Sequence, residues 1–348
     1  MTKRRMLAEW EPQSMVQLTW PHKDTDWAPV LADAISCFCD IAREVTKREP
    51  LLIVAKEPNE AKEALTRRGI SLDNVTFVQC STNDTWARDH AFITCIDTKQ
   101  QKIFLQDFQF NGWGLKFAAN EDNQINRRIL SKITSLYRDA SIEYLNHLDF
   151  VFEGGSIESD GEGTLMVTSS CLLSENRNNT LSQHDISDKL KLFFNAKRVI
   201  WIHHSWLAGD DTDGHIDTVA RFCSPTSIAY VKCDDPNDEH FEEMQAMEQE
   251  LQALKTADNQ PYKLFPIPLP NPCFDDDGNR LPATYANFLI VNGAVLVPTY
   301  NQTNKDKEAI AMLGLAFPER EIIPIDCRTL ILQHGSLHCS TMQYPQIS

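Results

Sequence analysis

Short β-branched and apolar runs alternate with helical patterns from one end of this 348-residue chain to the other. Alternation of this kind argues for an α/β architecture rather than strands and helices segregated into separate layers. Leu31, Ile35, Phe38, Ala42 and Val45 recur at helical spacing, and Pro50 closes that segment. Residues 51–55 then read as a buried strand, 59–68 as a helix with Asn59 as its cap, and 75–78 as another strand. The spacing predicts further strands over 92–96, 103–108, 165–168, 198–202, 227–231, 288–298 and 321–325, and helices over 185–194, 239–255 and 305–316. Asp160-Gly161, between Ile157 and Leu165, reads as a hairpin turn.

Two stretches carry no regular pattern. Residues 109–125 hold Asn111-Gly112-Trp113-Gly114, and residues 256–286 hold six prolines and Asp275-Asp276-Asp277-Gly278. A loop of the second length inside a compact chain is functional, disordered or a surface excursion. Length alone would allow about two domains, but closed α/β architectures reach this size as one unit. No internal repeat at fixed sequence period is visible.

Charge narrows the partners. Lys and Arg total 33 against 49 Asp and Glu, a net of −16. Nucleic acids and anionic membranes are polyanions, so neither is expected as a partner, while a cationic small molecule is compatible. No run approaches a membrane-spanning length, and the basic N-terminal residues meet Glu9 before any apolar stretch begins, so neither a span nor a signal peptide is expected. The ten cysteines form no CxxC and no zinc-finger quartet, so most are expected to be reduced, buried small hydrophobes in a cytoplasmic protein.

Five polar clusters lie where strand runs begin or end: Trp86-Ala87-Arg88-Asp89, Glu153-Gly154-Gly155-Ser156, Asp211 to Asp217, Asn292-Gly293, and His334 to Cys339. A calcium loop with its sixth-position glycine at Gly214 would begin at Gly209 and end at Ala220, neither of which offers a carboxylate. Gly154-Gly155-Ser156-Ile157-Glu158 lacks the closing glycine of a nucleophile elbow. If the backbone at His215 and Asp217 is extended, the two side chains share a face. By the same parity His338 faces away from Cys339 and is a structural histidine, leaving His215 as the best base for that sulfur.

Trp86-Ala87-Arg88-Asp89, Glu153 to Glu158, Thr212 to Asp217 and Ser336-Leu337-His338-Cys339 occur in that order. Together they resemble the guanidine-modifying enzymes of the pentein fold, specifically the agmatine deiminases. The likeness extends to Ala8 to Pro12, Trp20-Pro21-His22, Asn176-Arg177-Asn178, Asn287-Phe288 and Val291-Asn292-Gly293, and so covers almost the whole chain. It departs at His334-Gly335-Ser336-Leu337, where many members have Gly-Gly-Gly-Asn before Ile-His-Cys, and at Asp217-Thr218, where many have Asp-Asn.

The resemblance implies a pseudo-fivefold α/β propeller with a central site, formed as a single catalytic domain over residues 1–348. It implies Cys339 as nucleophile, His215 as general acid/base, Glu153 as the carboxylate orienting that histidine and touching substrate, and Asp89 with Asp217 gripping a guanidinium. Trp86 and Trp113 are added as aromatic faces for an alkyl cation. The expected reaction converts agmatine and water to N-carbamoylputrescine and ammonia, in putrescine biosynthesis, with no metal and no organic cofactor. Free or peptidyl arginine is the alternative substrate, an amidinotransferase or an idle guanidinium-binding protein the alternative activity. A homo-oligomer is left open, as is the residue that holds the distal amine, for which Asp210 and Asp211 offer negative charge.

Overall fold

A computed structural model describes residues 4–137 and 140–347 of the chain. The first three residues of the basic N-terminal stretch, residues 138–139 and Ser348 lie outside the described residues, so the 1–348 boundary is followed only between them.

One unit of structure recurs five times. An antiparallel strand pair is followed by a helix that crosses over to a third strand, parallel to the second. Ile93–Asp97 and Lys102–Gln109 pair antiparallel, Ile125–Leu136 crosses over, and Ser141–Val151 adds parallel. Glu158–Ser159, Thr164–Thr168, Gln183–Phe194 and Arg198–Ile202 repeat the pattern. So do Ala220–Ser224, Ser227–Lys232, Phe241–Ala253 and Lys263–Pro268, and Leu289–Val291, Ala294–Thr299, Thr303–Ala316 and Glu321–Asp326. The fifth unit is assembled from both chain ends: Thr341–Pro345 pairs antiparallel with Gln13–Thr19, and Leu31–Thr46 crosses over to Leu51–Ala55. Each parallel step needs such a crossover, because a tight turn cannot return a strand in the same direction.

The local chemistry explains the elements. Leu51–Ala55 is buried at all five positions, as expected of a strand covered on both faces. Gln183–Phe194 starts in a capping box between Ser182 and Asp185 and stops at Asn195 in the left-handed region, φ 51°. Leu31–Thr46 buries Ala34, Phe38, Ile41, Ala42 and Val45 along one face.

Several expectations are corrected. Residues 288–298 are not one strand but the hairpin Leu289–Val291 and Ala294–Thr299, turned at Gly293 with φ 77°. The helix expected over 59–68 runs Pro58–Arg67; Glu57 precedes it, and Pro58, whose missing N–H costs nothing there, opens it in place of an Asn59 cap. Residues 256–286 are no mere excursion. They supply the strand Lys263–Pro268, whose prolines are tolerated at the sheet edge, and the small hairpin Cys273–Phe274 with Arg280–Leu281. In the other patternless stretch, Gly112–Leu115 is a single turn in which all four residues have positive φ. A Cβ at Gly112 would lie 2.2 Å from the Phe117 carbonyl oxygen, so only glycine fits. No helix among the described residues is long and apolar enough to cross a membrane.

Candidate active site

The segment immediately before the first strand of each unit carries a polar side chain to one place. Asp89 lies in the one-turn helix Ala87–His90, ahead of Ile93–Asp97. Glu153 precedes the 3-10 turn Gly154–Ser156 and the strand Glu158–Ser159. His215 opens the 3-10 turn Ile216–Thr218 that holds Asp217, ahead of Ala220–Ser224. Asn287 precedes Leu289–Val291, and Cys339 precedes Thr341–Pro345. The turns matter for the parity argument. Residues 215–217 are not extended, and His338 and Cys339 sit in a turn, so strand alternation does not set their directions. His338 and Cys339 nonetheless diverge, the sulfur toward a pocket and the imidazole into a buried ionic cluster.

His215 Nδ1 lies 3.6 Å from Asp89 Oδ1 and Nε2 lies 3.9 Å from Glu153 Oε2. Both distances exceed a hydrogen bond, and neither ring nitrogen has a partner although the residue is fully buried. Asp89 accepts from Trp113 Nε1 at 2.9 Å and from the Gly155 amide at 3.0 Å. Glu153 accepts from Arg177 Nε at 3.0 Å on both oxygens, and Arg177 continues to Asp213 at 2.5 Å and to the Thr212 carbonyl at 2.8 Å. Asp217 Oδ2 faces His338 Nδ1 at 2.7 Å, while its Oδ1 is buried without a partner. The Asn287 carboxamide accepts from the amides of His338 and Cys339 at 2.9 and 3.2 Å and donates to the Asp217 carbonyl at 3.4 Å.

This geometry sets the electrostatics. Burial opposes charge on His215, but Asp89, the Cys171 sulfur beside it and Glu153 together hold its pKa well above the ordinary imidazole value. Burial pushes the Cys339 thiol well above the ordinary value, and the negative charges of Asp217 and Asp89 add to that. Burial would raise Glu153, yet Arg177 and then His215 bring it below the usual carboxylate value. Asp217 is likewise lowered, because the His338 contact outweighs its burial.

A cavity of about 130 Å³ opens above Cys339 and Asp89. Trp86, Trp113 and Phe117 supply its aromatic wall, and Asp26, Asp84, Asp210 and Asp211 its acidic rim. Gly335 closes another side; a Cβ there would stand 2.3 Å from the Trp86 ring. Trp86 and Trp113, expected as aromatic faces for an alkyl cation, both line this cavity. All ten cysteines are free, and nine are buried.

Asn292-Gly293, the fourth of the five polar clusters, is not brought here. It forms a hairpin turn, and Asn292 is held by Glu49 and Gln13. Asn287 occupies the corresponding place. Arg88, next to Asp89, is no surface partner but a buried residue whose main chain bonds Cys339. Sequence reasoning gave no part in the site to Asn287, Arg177, Cys171 or Glu9, and read His338 as structural. Four of these five lie in segments that carry the family likeness, which was the available signal; nothing marked Cys171. Among the described residues, two sets of potential metal-ligating atoms cluster within 4.8 Å, Glu153 with Cys171 and His215, and Glu9 with Glu158 and His338. In each set an arginine already neutralises the carboxylates, Arg177 in the first and Arg221 in the second.

The chain is 32% identical to an agmatine deiminase of Pseudomonas aeruginosa, over 98% of this chain and 95% of that protein. Its fold is similar to a Porphyromonas gingivalis protein provisionally named arginine deiminase, with TM-score 0.90 and 47% identity over 99% of both chains. It is similar also to a cysteine-to-serine variant of C. jejuni agmatine deiminase with substrate bound, with TM-score 0.89 and 35% identity over 99% of this chain and 96% of that one. The model of the Porphyromonas-type peptidyl-arginine deiminase family matches residues 5–345, and the chain belongs to that family.

Proposed function

We propose that this protein is an agmatine deiminase, converting agmatine and water to N-carbamoylputrescine and ammonia in putrescine formation. The observation that carries the reading is that Asp89 and Cys339 line one acid-rimmed pocket, with His215 buried between Asp89 and Glu153 and with Asp217 close enough to act on the sulfur.

A guanidinium is flat, cationic and slow to react with water. Asp89 and Asp217 bind it by charge-assisted hydrogen bonds, and the unpartnered Asp217 Oδ1 supplies an acceptor that no protein donor occupies. In the empty site the thiol of Cys339 keeps its proton, since burial and two carboxylates oppose a thiolate. The bound cation reverses that balance, so the thiol loses its proton to solvent and Cys339 attacks as the thiolate. Attack of Sγ on the guanidinium carbon forms a C–S bond and a tetrahedral adduct. His215, charged beforehand, gives its proton to the departing nitrogen, and ammonia leaves a covalent amidino-thioether. The neutral imidazole then takes a proton from water, whose oxygen attacks the same carbon. The C–S bond breaks, Sγ leaves as the thiolate, and the urea product departs. Glu153 orients His215 and is itself held by Arg177.

The pocket favours agmatine over arginine. Among the described residues that line it are five aspartates and neither lysine nor arginine, so the carboxylate of arginine would meet only like charge. Asp210 is committed to Thr212 and Gly214, and Asp84 to the indoles of Trp27 and Trp86, which leaves Asp211 and Asp26 as the acids for the distal amine. We assign the whole chain to one catalytic domain whose five units surround this site in a pseudo-fivefold propeller, working in the cytoplasm. The recurrent strand order and the pairing of both chain ends in one sheet support that arrangement.

The deciding experiment measures ammonia release from agmatine, arginine, methylated arginines and an arginyl peptide. Agmatine is expected to be preferred; a tenfold or greater preference for arginine overturns the assignment. Cys339→Ala should bind agmatine without turnover, and unchanged turnover in that variant would remove the sulfur from the mechanism.

A further inference from the structure

The two chain ends meet beneath the candidate site. Glu9 comes from the N-terminal segment and His338 from the turn before the last strand, 329 positions apart. His338 Nε2 is 2.7 Å from Glu9 Oε2, and its Nδ1 is 2.7 Å from Asp217 Oδ2. Carboxylates only accept hydrogen bonds, so Nδ1 donates to Asp217, while Nε2 faces both Glu9 and Arg221 Nη2, the latter at 3.1 Å. Arg221 Nη2 reaches Glu9 Oε2 at 2.9 Å, its Nε bonds Glu158, and Arg88 Nη2 stands 3.8 Å from Glu9. The buried cluster therefore gathers three carboxylates, Glu9, Glu158 and Asp217, around two arginines, Arg88 and Arg221, and the His338 ring. Glu9 is fixed in turn by the Ile290 amide at 2.7 Å.

We infer that His338, held from behind by Glu9, is the positioning element of Asp217, fixing that carboxylate through Oδ2 so that Oδ1 alone remains for the substrate cation. This rests on the reading of Asp217 as a guanidinium-binding residue. Two observations carry it further than a structural salt bridge. Asp217 Oδ1 is buried and unpartnered although Oδ2 of the same carboxylate is bound, a cost the fold retains. The same turn also fixes the sulfur, since Asn287 accepts the amides of both His338 and Cys339. Glu9 thus links the N-terminal segment to the relative placement of cation grip and nucleophile.

The test uses the full chain with His338→Asn, His338→Gln and Glu9→Gln, each checked for native circular dichroism. An asparagine amide nitrogen takes the place of Nδ1 and keeps the donor to Asp217; a glutamine nitrogen takes the place of Nε2 and loses it. His338→Gln is expected to raise KM for agmatine about tenfold or more, the scale of a lost hydrogen bond to a charged group, with kcat within about threefold. His338→Asn should keep KM within about threefold, and Glu9→Gln should fall between the two because a neutral partner holds the ring less strongly. Equal KM for the two His338 variants, or a parental KM in both His338→Gln and Glu9→Gln, overturns the inference while leaving the deiminase reading intact. Should His338→Gln not fold, the KM of Glu9→Gln decides in its place. If the parent releases no ammonia from agmatine, the deiminase reading falls. The inference is then judged by calorimetric agmatine binding in the Cys339→Ala background. The same order of Kd sustains it; equal Kd, or no binding in any variant, overturns it.

Discussion

Replacing Gly155 by alanine strikes the centre of the site with one methyl group. Gly155 has no need of positive φ, so the backbone tolerates the change and the effect is steric. Its added Cβ would lie 2.4 Å from His215 Nδ1, 2.9 Å from Asp89 Oδ1 and 3.1 Å from His215 Cε1. Ordinary contact begins at 3.4 Å, so the imidazole must retreat by 3.4 − 2.4 = 1.0 Å. Overpacking of this kind costs about 1–3 kcal/mol of stability, which a domain of this size survives. A displacement of about 1 Å between acid and substrate costs about 100-fold in rate, or about 2.7 kcal/mol in the barrier. Gly155→Ala is therefore expected to fold, to lose a few degrees in Tm, and to lose about 100-fold in kcat for ammonia release. Gly314→Ala is the control: its Cβ meets nothing nearer than 3.9 Å in the helix Thr303–Ala316, so Tm should hold or rise and kcat should not change. A folded Gly155→Ala enzyme with kcat within threefold of the parent would refute the Asp89–Gly155–His215 geometry as the working arrangement.

Three further outcomes follow from the same contacts. Trp113→Phe removes the indole donor from Asp89 at 2.9 Å and should raise KM for agmatine about tenfold; steady-state kinetics with unchanged KM would count against Asp89 as a substrate ligand. Arg177→Met leaves Glu153 as an uncompensated buried charge, expected to cost about 3–5 kcal/mol in a denaturant titration, and a loss under 1 kcal/mol would contradict the pairing. Burial raises Glu49 to about 7, above its unfolded value, so the stability contributed by its protonated form is present below pH ~4.5 and is lost as pH rises through about 7. Glu49→Gln should therefore gain Tm over the parent at pH 8.5 and little at pH 4.5; a flat or reversed difference would refute the assignment.

Much of the fold is legible in the chain because strand and helix periodicity are local. The spacing of Leu31, Ile35, Phe38, Ala42 and Val45 gives a helix that the structure places over Leu31–Thr46. The elements that escape notice are those whose signal is not local. Gln13–Thr19 and Thr341–Pro345 form one antiparallel pair from opposite ends of the sequence, and Lys263–Pro268 hides its strand character beneath two prolines. The candidate site divides the same way. Asp89, Glu153, His215, Asp217 and Cys339 stand out through the polar motifs that carry them, and four of the five polar clusters do converge.

Sequence by itself determined the alternation of elements, the absence of zinc-finger cysteine spacing, and the identity of the acids, imidazole and thiol available for chemistry. Only the tertiary structure decided their partners. Arg177 rather than solvent neutralises Glu153, Asn287 rather than Asn292 completes the ring, and Glu9 meets His338 across nearly the whole length of the chain. The physical reason is that propensity and periodicity act over a few residues. The charge state of a buried carboxylate depends instead on whichever groups the sheet pairings bring within about 4 Å.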